Sequence, residues 1–104
     1  MKAIQIVEES LIWTEVDTPE PKKDEVLIKI LATAINRADL AQRSGNYPPP
    51  DGESNILGLE CSGEIVKVGE GIDEERIGEN VCALLAGGGY AEYVCCPSIQ
   101  AIKV

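Results

Sequence analysis

The sequence predicts a mainly β fold, a small barrel or sandwich with one short helix. Three observations predict it. Six or seven short apolar runs follow one another at close spacing, separated by Gly, Pro, Asn and Asp turn signals. A single stretch, Asn36 to Gly45, changes to a helical pattern. The chain has 104 residues, the size of one domain and too short for a barrel and a full nucleotide-binding fold together.

The elements follow in order. Lys2 to Val7 reads as a strand bounded by Glu8-Glu9-Ser10, and Leu11 to Val16, with the lone Trp13, as its hairpin partner. The polar stretch Thr18 to Asp24 is a connection marked by Pro19 and Pro21. Glu25 to Ile35 is the longest strand candidate. Val26, Ile28 and Ile30 form one face, while Leu27 and Leu31 flank Lys29 on the other, so the strand should be central. In the helix from Asn36 to Gly45, Asn36 can cap the first turn and Asp39 can reach back to the cap. Gly45 suits the left-handed position that ends a helix. So short a helix must be held by packing. Asn46 to Leu57 is a loop stiffened by Pro48, Pro49 and Pro50. A strand resumes from Leu59 through Ile65, Val66 and Val68, ending at the turn Gly69-Glu70-Gly71. A second turn, Ile77-Gly78-Glu79-Asn80, leads into Val81 to Leu85. Gly87-Gly88-Gly89 then interrupts, Tyr90 to Cys96 is a strand stopped by Pro97, and Ile99 to Val104 is the last.

Charge narrows the function. The net charge is −9, from 18 acidic and 9 basic residues spread along the chain. That sign opposes phosphate backbones and anionic lipid surfaces, so neither nucleic acid nor membrane is an expected partner. No apolar run approaches the roughly 20 residues of a spanning helix. The first residues lack the apolar stretch of a signal peptide, and a cytoplasmic location is expected.

The cysteines Cys61, Cys82, Cys95 and Cys96 contain no C-x-x-C pair, and the chain has no histidine. Adjacent Cys95 and Cys96 would point to opposite faces of a strand, which suits neither one metal nor an easy disulfide. Buried apolar thiols in a reducing compartment, and no metal site, are the expectation. The glycine clusters do not make a phosphate cradle. Gly69-x-Gly71 runs into Asp73, Glu74 and Glu75, and Gly87-Gly88-Gly89 opens into a strand rather than a helix. Both read as turns or bulges. Glu60, between Leu59 and Cys61, is either turned to solvent or held by partners.

Six segments then occur in a telling order: Asn36-Arg37-Ala38-Asp39-Leu40, Arg43-x-Gly45-x-Tyr47-Pro48-Pro49, Leu57-Gly58-Leu59-Glu60-Cys61-Ser62-Gly63, Val68-Gly69-Glu70-Gly71, Ile77-Gly78-Glu79-Asn80-Val81 and Gly88-Gly89-Tyr90-Ala91-Glu92-Tyr93-Val94. Together they resemble the N-terminal GroES-like domain of medium-chain dehydrogenases/reductases, and most nearly the zinc-independent NADPH:quinone oxidoreductases. The resemblance covers nearly all of residues 1–104. It implies a partly open β-barrel with a short helix at its edge. It also implies a C-terminal Rossmann domain beyond Val104, making this chain one half of a longer enzyme. Zinc-dependent relatives carry a cysteine where this chain has Asn36 and a histidine where it has Leu59, and their four-cysteine lobe has no counterpart after Val81.

The implied activity is hydride transfer from NADPH to a quinone or related conjugated carbonyl, without zinc. Tyr47 matches a tyrosine near nicotinamide and substrate and is the candidate catalytic hydrogen-bond donor. Asn36 matches a cleft-facing asparagine and is a candidate cofactor contact beside its role as a cap. Asp39 and Arg43 lie on the same helix, where i,i+4 pairing already accounts for them. Glu60 is expected to organise the cleft. The expected partners are the small-molecule oxidant and the chain's own Rossmann domain, with a homo-oligomer possible at full length. Two other readings stay open: a stand-alone GroES-like binding or oligomeric module, and a thiol-redox module built on Cys95 and Cys96. Against the first, the loop from Asn46 to Leu57 is proline-stiffened and carries Asp51 and Glu53, unlike a mobile apolar co-chaperonin loop. Against the second, no basic neighbour lowers the thiol pKa.

Overall fold

The computed structural model describes residues 1–7, 10–37 and 56–104. Within them the chain forms seven strands: β1 (Lys2–Val7), β2 (Ser10–Glu15), β3 (Glu25–Thr33), β4 (Glu60–Val68), β5 (Asn80–Leu84), β6 (Tyr93–Pro97) and β7 (Ala101–Lys103). β1 and β2 pair as an antiparallel hairpin, and the other five form one sheet in the order β6-β3-β4-β5-β7. The mainly β architecture expected from the sequence is therefore the observed one, and β3 lies inside the sheet, as its two apolar faces require. The expected helix from Asn36 to Gly45 lies outside the described residues beyond Arg37, which has helical backbone.

The core lines one face of the five-stranded sheet. Val26 and Ile28 of β3 meet Cys61 and Ile65 of β4, Val81 and Ala83 of β5, Val94 and Cys96 of β6, and Ala101 of β7. Val26, Ile28, Ile65 and Val81 are almost wholly buried. Each contributes roughly 1.5–3 kcal/mol by leaving water.

The β3–β4 register slips twice, between Leu27 and Ile28 and between Ile30 and Ala32. The second slip leaves Leu31 as an extra residue, so Ile30 faces Gly63 while Ala32 faces Ser62 and Thr33 faces Cys61. The alternation read from the sequence holds as far as Ile30 and then changes phase, which is why Leu31 is 71 % exposed. Gly63 sits at this bend, and a Cβ there would collide with the Lys29 carbonyl.

Main-chain crossings join the hairpin to the sheet. Ile4 N–H donates to the Tyr90 carbonyl (2.8 Å), Glu92 N–H to Lys2 (3.0 Å) and Ile30 N–H to Glu92 (2.9 Å), with an isolated bridge between Ala3 and Ala91. Residues 90–92 thus serve both sheets, and the regular strand starts at Tyr93 instead of the expected Tyr90.

The last strand also starts late, at Ala101, because Ser98–Gln100 form a 3-10 turn. Arg76 holds that turn. Its Nε and Nη2 donate to Glu79 Oε1 (3.0 and 2.9 Å), Nη1 to the Ser98 carbonyl and hydroxyl (3.0 and 2.8 Å), and Nη2 also to the Ala101 carbonyl (2.9 Å). One planar guanidinium thereby ties the β4–β5 connection to β7.

Candidate functional site

The glycines that fail as a phosphate cradle build a backbone crossing instead. Residues 56–59 lie against 85–90 through four main-chain bonds: Leu85 N–H to Leu59 O (2.7 Å), Gly88 N–H to Ile56 O (2.8 Å), Tyr90 N–H to Leu57 O (2.9 Å) and Gly89 N–H to Gly58 O (3.1 Å). Gly58 has φ +112°, and a Cβ there would stand 2.5 Å from the Gly89 Cα. Only two glycines permit so close a crossing. Leu57, 2 % exposed, anchors the segment.

That crossing fixes Leu59 and Glu60, both half-buried, at the start of β4. The end of β3 is tied to the same corner. Thr33 Oγ1 donates to the Glu60 carbonyl (2.6 Å), and the Tyr90 hydroxyl donates to the Ala34 carbonyl (3.4 Å). Asn36 follows two residues later, half-buried, with its amide nitrogen shielded from solvent. Of the residues singled out in the sequence, Glu60 lies at this corner, and Asn36 follows two residues after Ala34, where the corner ends. Tyr47, Asp39 and Arg43 lie outside the described residues.

A cleft of about 470 Å³ opens from this corner across the sheet. Thr33, Glu60, Ser62, Cys82, Leu84 and Ile102 are among its lining residues. Glu60 was visible in the sequence; the others were not. The exposed apolar positions of β5 and β7 signal a surface, but which strands they adjoin depends on register.

The thiols divide. Cys61 and Cys96 are buried and Cys95 is half-buried, as expected, whereas Cys82 is exposed. Cys82 sits opposite Ser62 on the side of the sheet away from the core, while its neighbours Val81 and Ala83 point inward. Burial, followed by the nearby thiols of Cys96 and Cys82, pushes Cys61 up to about 12. Burial and the Glu25 carboxylate push Cys95 up to about 12 and Cys96 up to about 11. Thiols held neutral in this way are poor nucleophiles, which weighs against redox chemistry at Cys95 and Cys96.

Among the described residues the donor set at the corner does not suit zinc: Asn36 offers a carboxamide and Leu59 no donor at all, beside the carboxylate of Glu60. Among the described residues no three His, Cys, Asp or Glu side chains are grouped to hold a metal ion. No helix among the described residues is long and apolar enough to cross a membrane.

Residues 22–104 match the model of the alcohol dehydrogenase GroES-like domain, and the chain belongs to that family. Its relatives include oxidoreductases, among them an alcohol dehydrogenase of Schizosaccharomyces pombe. The human synaptic vesicle membrane protein VAT-1 homolog-like is 35 % identical over 79 residues, spanning 76 % of this chain and 19 % of the relative. A chloroplastic quinone-oxidoreductase homolog of Spinacia oleracea is 36 % identical over 90 residues, spanning 82 % of this chain and 27 % of the relative. The crystal structure of the human VAT-1 homolog-like protein superimposes with a TM-score of 0.88 at 30 % identity, covering 100 % of this chain and 35 % of that one. A mycobacterial protein solved in complex with NADPH gives a TM-score of 0.84 at 31 % identity, covering 100 % of this chain and 34 % of that one. The chain thus spans about a fifth of the length of the first curated relatives it matches, at 19 %.

Proposed function

We propose that residues 1–104 are the N-terminal, cleft-forming domain of a zinc-independent oxidoreductase that passes hydride from NADPH to a quinone or related conjugated carbonyl. The observation that carries this reading is the corner at Asn36, Leu59 and Glu60. Its backbone is built with the care of a site, through the Gly58–Gly89 crossing, yet it offers an amide and an aliphatic side chain where a metal would need ligands. The similarity to a quinone-oxidoreductase homolog and to an NADPH complex supports the same reading.

Most of the cofactor would be held by a Rossmann domain beyond residue 104, since no G-x-G-x-x-G opens a helix here. NADPH, when bound, supplies the hydride. Asn36 would meet the nicotinamide side of the cleft. Tyr47 would donate a hydrogen bond to the carbonyl oxygen as negative charge develops there, the task a metal performs in zinc enzymes. Glu60 keeps the corner in shape through its carbonyl, which accepts the Thr33 hydroxyl.

The test uses the whole protein produced from its source gene. Reduced-nicotinamide absorbance is followed with several quinones and enones, with and without a strong chelator. Quinone-dependent, chelator-insensitive oxidation is expected. Sensitivity to the chelator would remove the zinc-free mechanism, and no turnover with any acceptor would leave the binding-module reading. Tyr47→Phe should lower turnover by about tenfold or more with little change in melting temperature, in line with the loss of one transition-state donor. An unchanged rate across the quinones removes Tyr47 from the mechanism.

A further inference from the structure

The β1–β2 hairpin has one edge in use and one edge free. Val16 N–H donates to the Met1 carbonyl (2.9 Å) and the Met1 ammonium to the Val16 carbonyl (2.8 Å). In an antiparallel ladder the bonded pairs are then Met1–Val16, Ala3–Thr14, Gln5–Ile12 and Val7–Ser10. The pairs between them turn their main-chain groups away from each other. On the β1 side those groups are used: Ile4 N–H reaches the Tyr90 carbonyl, and the Lys2 carbonyl accepts from Glu92. On the β2 side the N–H and C=O groups of Leu11, Trp13 and Glu15 point outward, and among the described residues no strand pairs with them.

Soluble proteins usually blunt such an edge with lysine, proline or a bulge. β2 has none of these. Its sequence is Ser-Leu-Ile-Trp-Thr-Glu, and its register with β1 runs unbroken from Lys2–Glu15 to Val7–Ser10. Its one charge, Glu15, is already met by the N-terminal ammonium (3.3 Å) and Lys2 (3.5 Å). Leu11 and Trp13 share a face with Ile6 and Ile4, opposite the face of the fully buried Ala3. Leu11 is 45 % exposed and Trp13 56 %. A two-stranded ribbon with an uncovered apolar face is marginal in water; three or more strands make a stable sheet.

The strand also complements itself. Outward groups must face outward groups, which restricts the registers in which a second β2 can pair antiparallel. With the two-fold at Trp13, Leu11 faces Glu15, Trp13 faces Trp13 and Glu15 faces Leu11, and no like charges meet between Ser10 and Val16. With the two-fold at Ile12, only Leu11 and Trp13 face each other within the described strand. The Trp13 register therefore gives the longer ladder, and it has the isologous symmetry of most homodimers. A foreign strand would complete one hairpin, whereas a second copy completes two.

We propose that β2 is a dimerisation strand: two copies of the chain join antiparallel along its free edge, about a two-fold at Trp13, into one four-stranded sheet. This surface lies outside the cleft, and the proposal stands or falls independently of the reductase reading. A single strand pairing is a small interface, and each copy carries a net charge of −9. The dimer should therefore be weak, with a dissociation constant on the order of 100 μM at 0.1 M salt, and should tighten as salt screens the repulsion.

Trp13 is the only tryptophan, so intrinsic fluorescence reports on the two-fold itself. Sedimentation velocity and tryptophan emission of the 104-residue chain are followed from about 1 μM to about 1 mM. The mass should rise from 11.2 kDa toward twice that value, and the emission should shift to the blue with the same midpoint. Raising sodium chloride from 0.02 to 0.3 M should lower that midpoint by about fivefold. Leu11→Pro removes one outward N–H and no bond to β1, and Trp13→Lys places a charge on the edge; each should weaken the dimer by about tenfold or more. Ile77→Lys, at a residue of similar exposure outside the hairpin, should leave it intact. A chain that stays monomeric at 1 mM overturns the proposal. So does a dimer that survives both hairpin variants, or one that Ile77→Lys abolishes. A blue shift without a change in mass would mean that Trp13 is covered within its own chain, and would overturn it as well.

Discussion

The five-stranded sheet and the β1–β2 hairpin are built from similar apolar alternation but are stabilised differently. In the sheet, β3 places Val26, Leu27 and Ile28 in succession out of solvent. In the hairpin, β2 leaves Leu11, Ile12 and Trp13 between 41 and 56 % exposed, and only Ala3 of β1 is fully buried. The sheet is held by side-chain burial, the hairpin by main-chain bonds to residues 90–92. An apolar pattern identifies a strand; it does not say whether that strand has a core to face.

Substitutions can break this comparison. The largest effect should come from Ile65→Ala, which empties a fully buried site in the sheet and should cost about 4 kcal/mol in urea unfolding. Trp13→Ala, though it removes more side chain, should cost less than about 1 kcal/mol. A similar loss at both positions would show that the hairpin has a core of its own.

Gly58→Ala comes next, at about 3 kcal/mol, because a Cβ there meets both a positive φ and the Gly89 backbone. Amide exchange should then speed up at Leu85, Gly88 and Tyr90 before it does in β1 or β2. Uniform acceleration would mean that the crossing is not a separate unit.

The smallest effect is alkaline. Cys61, Cys95 and Cys96 are raised in the folded state from an ordinary value of 9.0 to about 12, 12 and 11. The fold favours their neutral forms, so this stabilisation is complete below pH 9.0 and is lost as pH rises toward 11–12. The urea midpoint should fall between pH 8 and pH 10, and Cys95→Ala should flatten that fall. The hairpin's described residues include no thiol, so its exchange should not follow this titration. An unchanged slope in Cys95→Ala assigns the alkaline loss to other groups.

Much of this architecture was legible in the residues. Alternation and turn signals located β1, β2, β4 and β5 within a residue or so, because period and punctuation are local properties. The start of β6 was not legible, since Tyr90 and Glu92 bond to partners near the far end of the chain. The Gly58–Gly89 crossing was hidden for the same reason: each cluster looks like an ordinary turn until the two are brought together. Asn36 and Glu60 could be singled out by residue type and order. The cleft could not, because its lining is defined by strand register, and the slip at Leu31 falls in a strand with no glycine or proline of its own to announce it.

That slip has a counterpart in sequence length. Because Leu31 is the surplus residue in the pairing, deleting it would remove the bulge and leave a regular ladder between β3 and β4. Ala32 would then follow Ile30 directly, still opposite Ser62, and Thr33 would stay opposite Cys61, within reach of the Glu60 carbonyl. The surplus residue is therefore a local bend and not a register setter, and a homologous chain one residue shorter here would present the same outer face on a straighter strand.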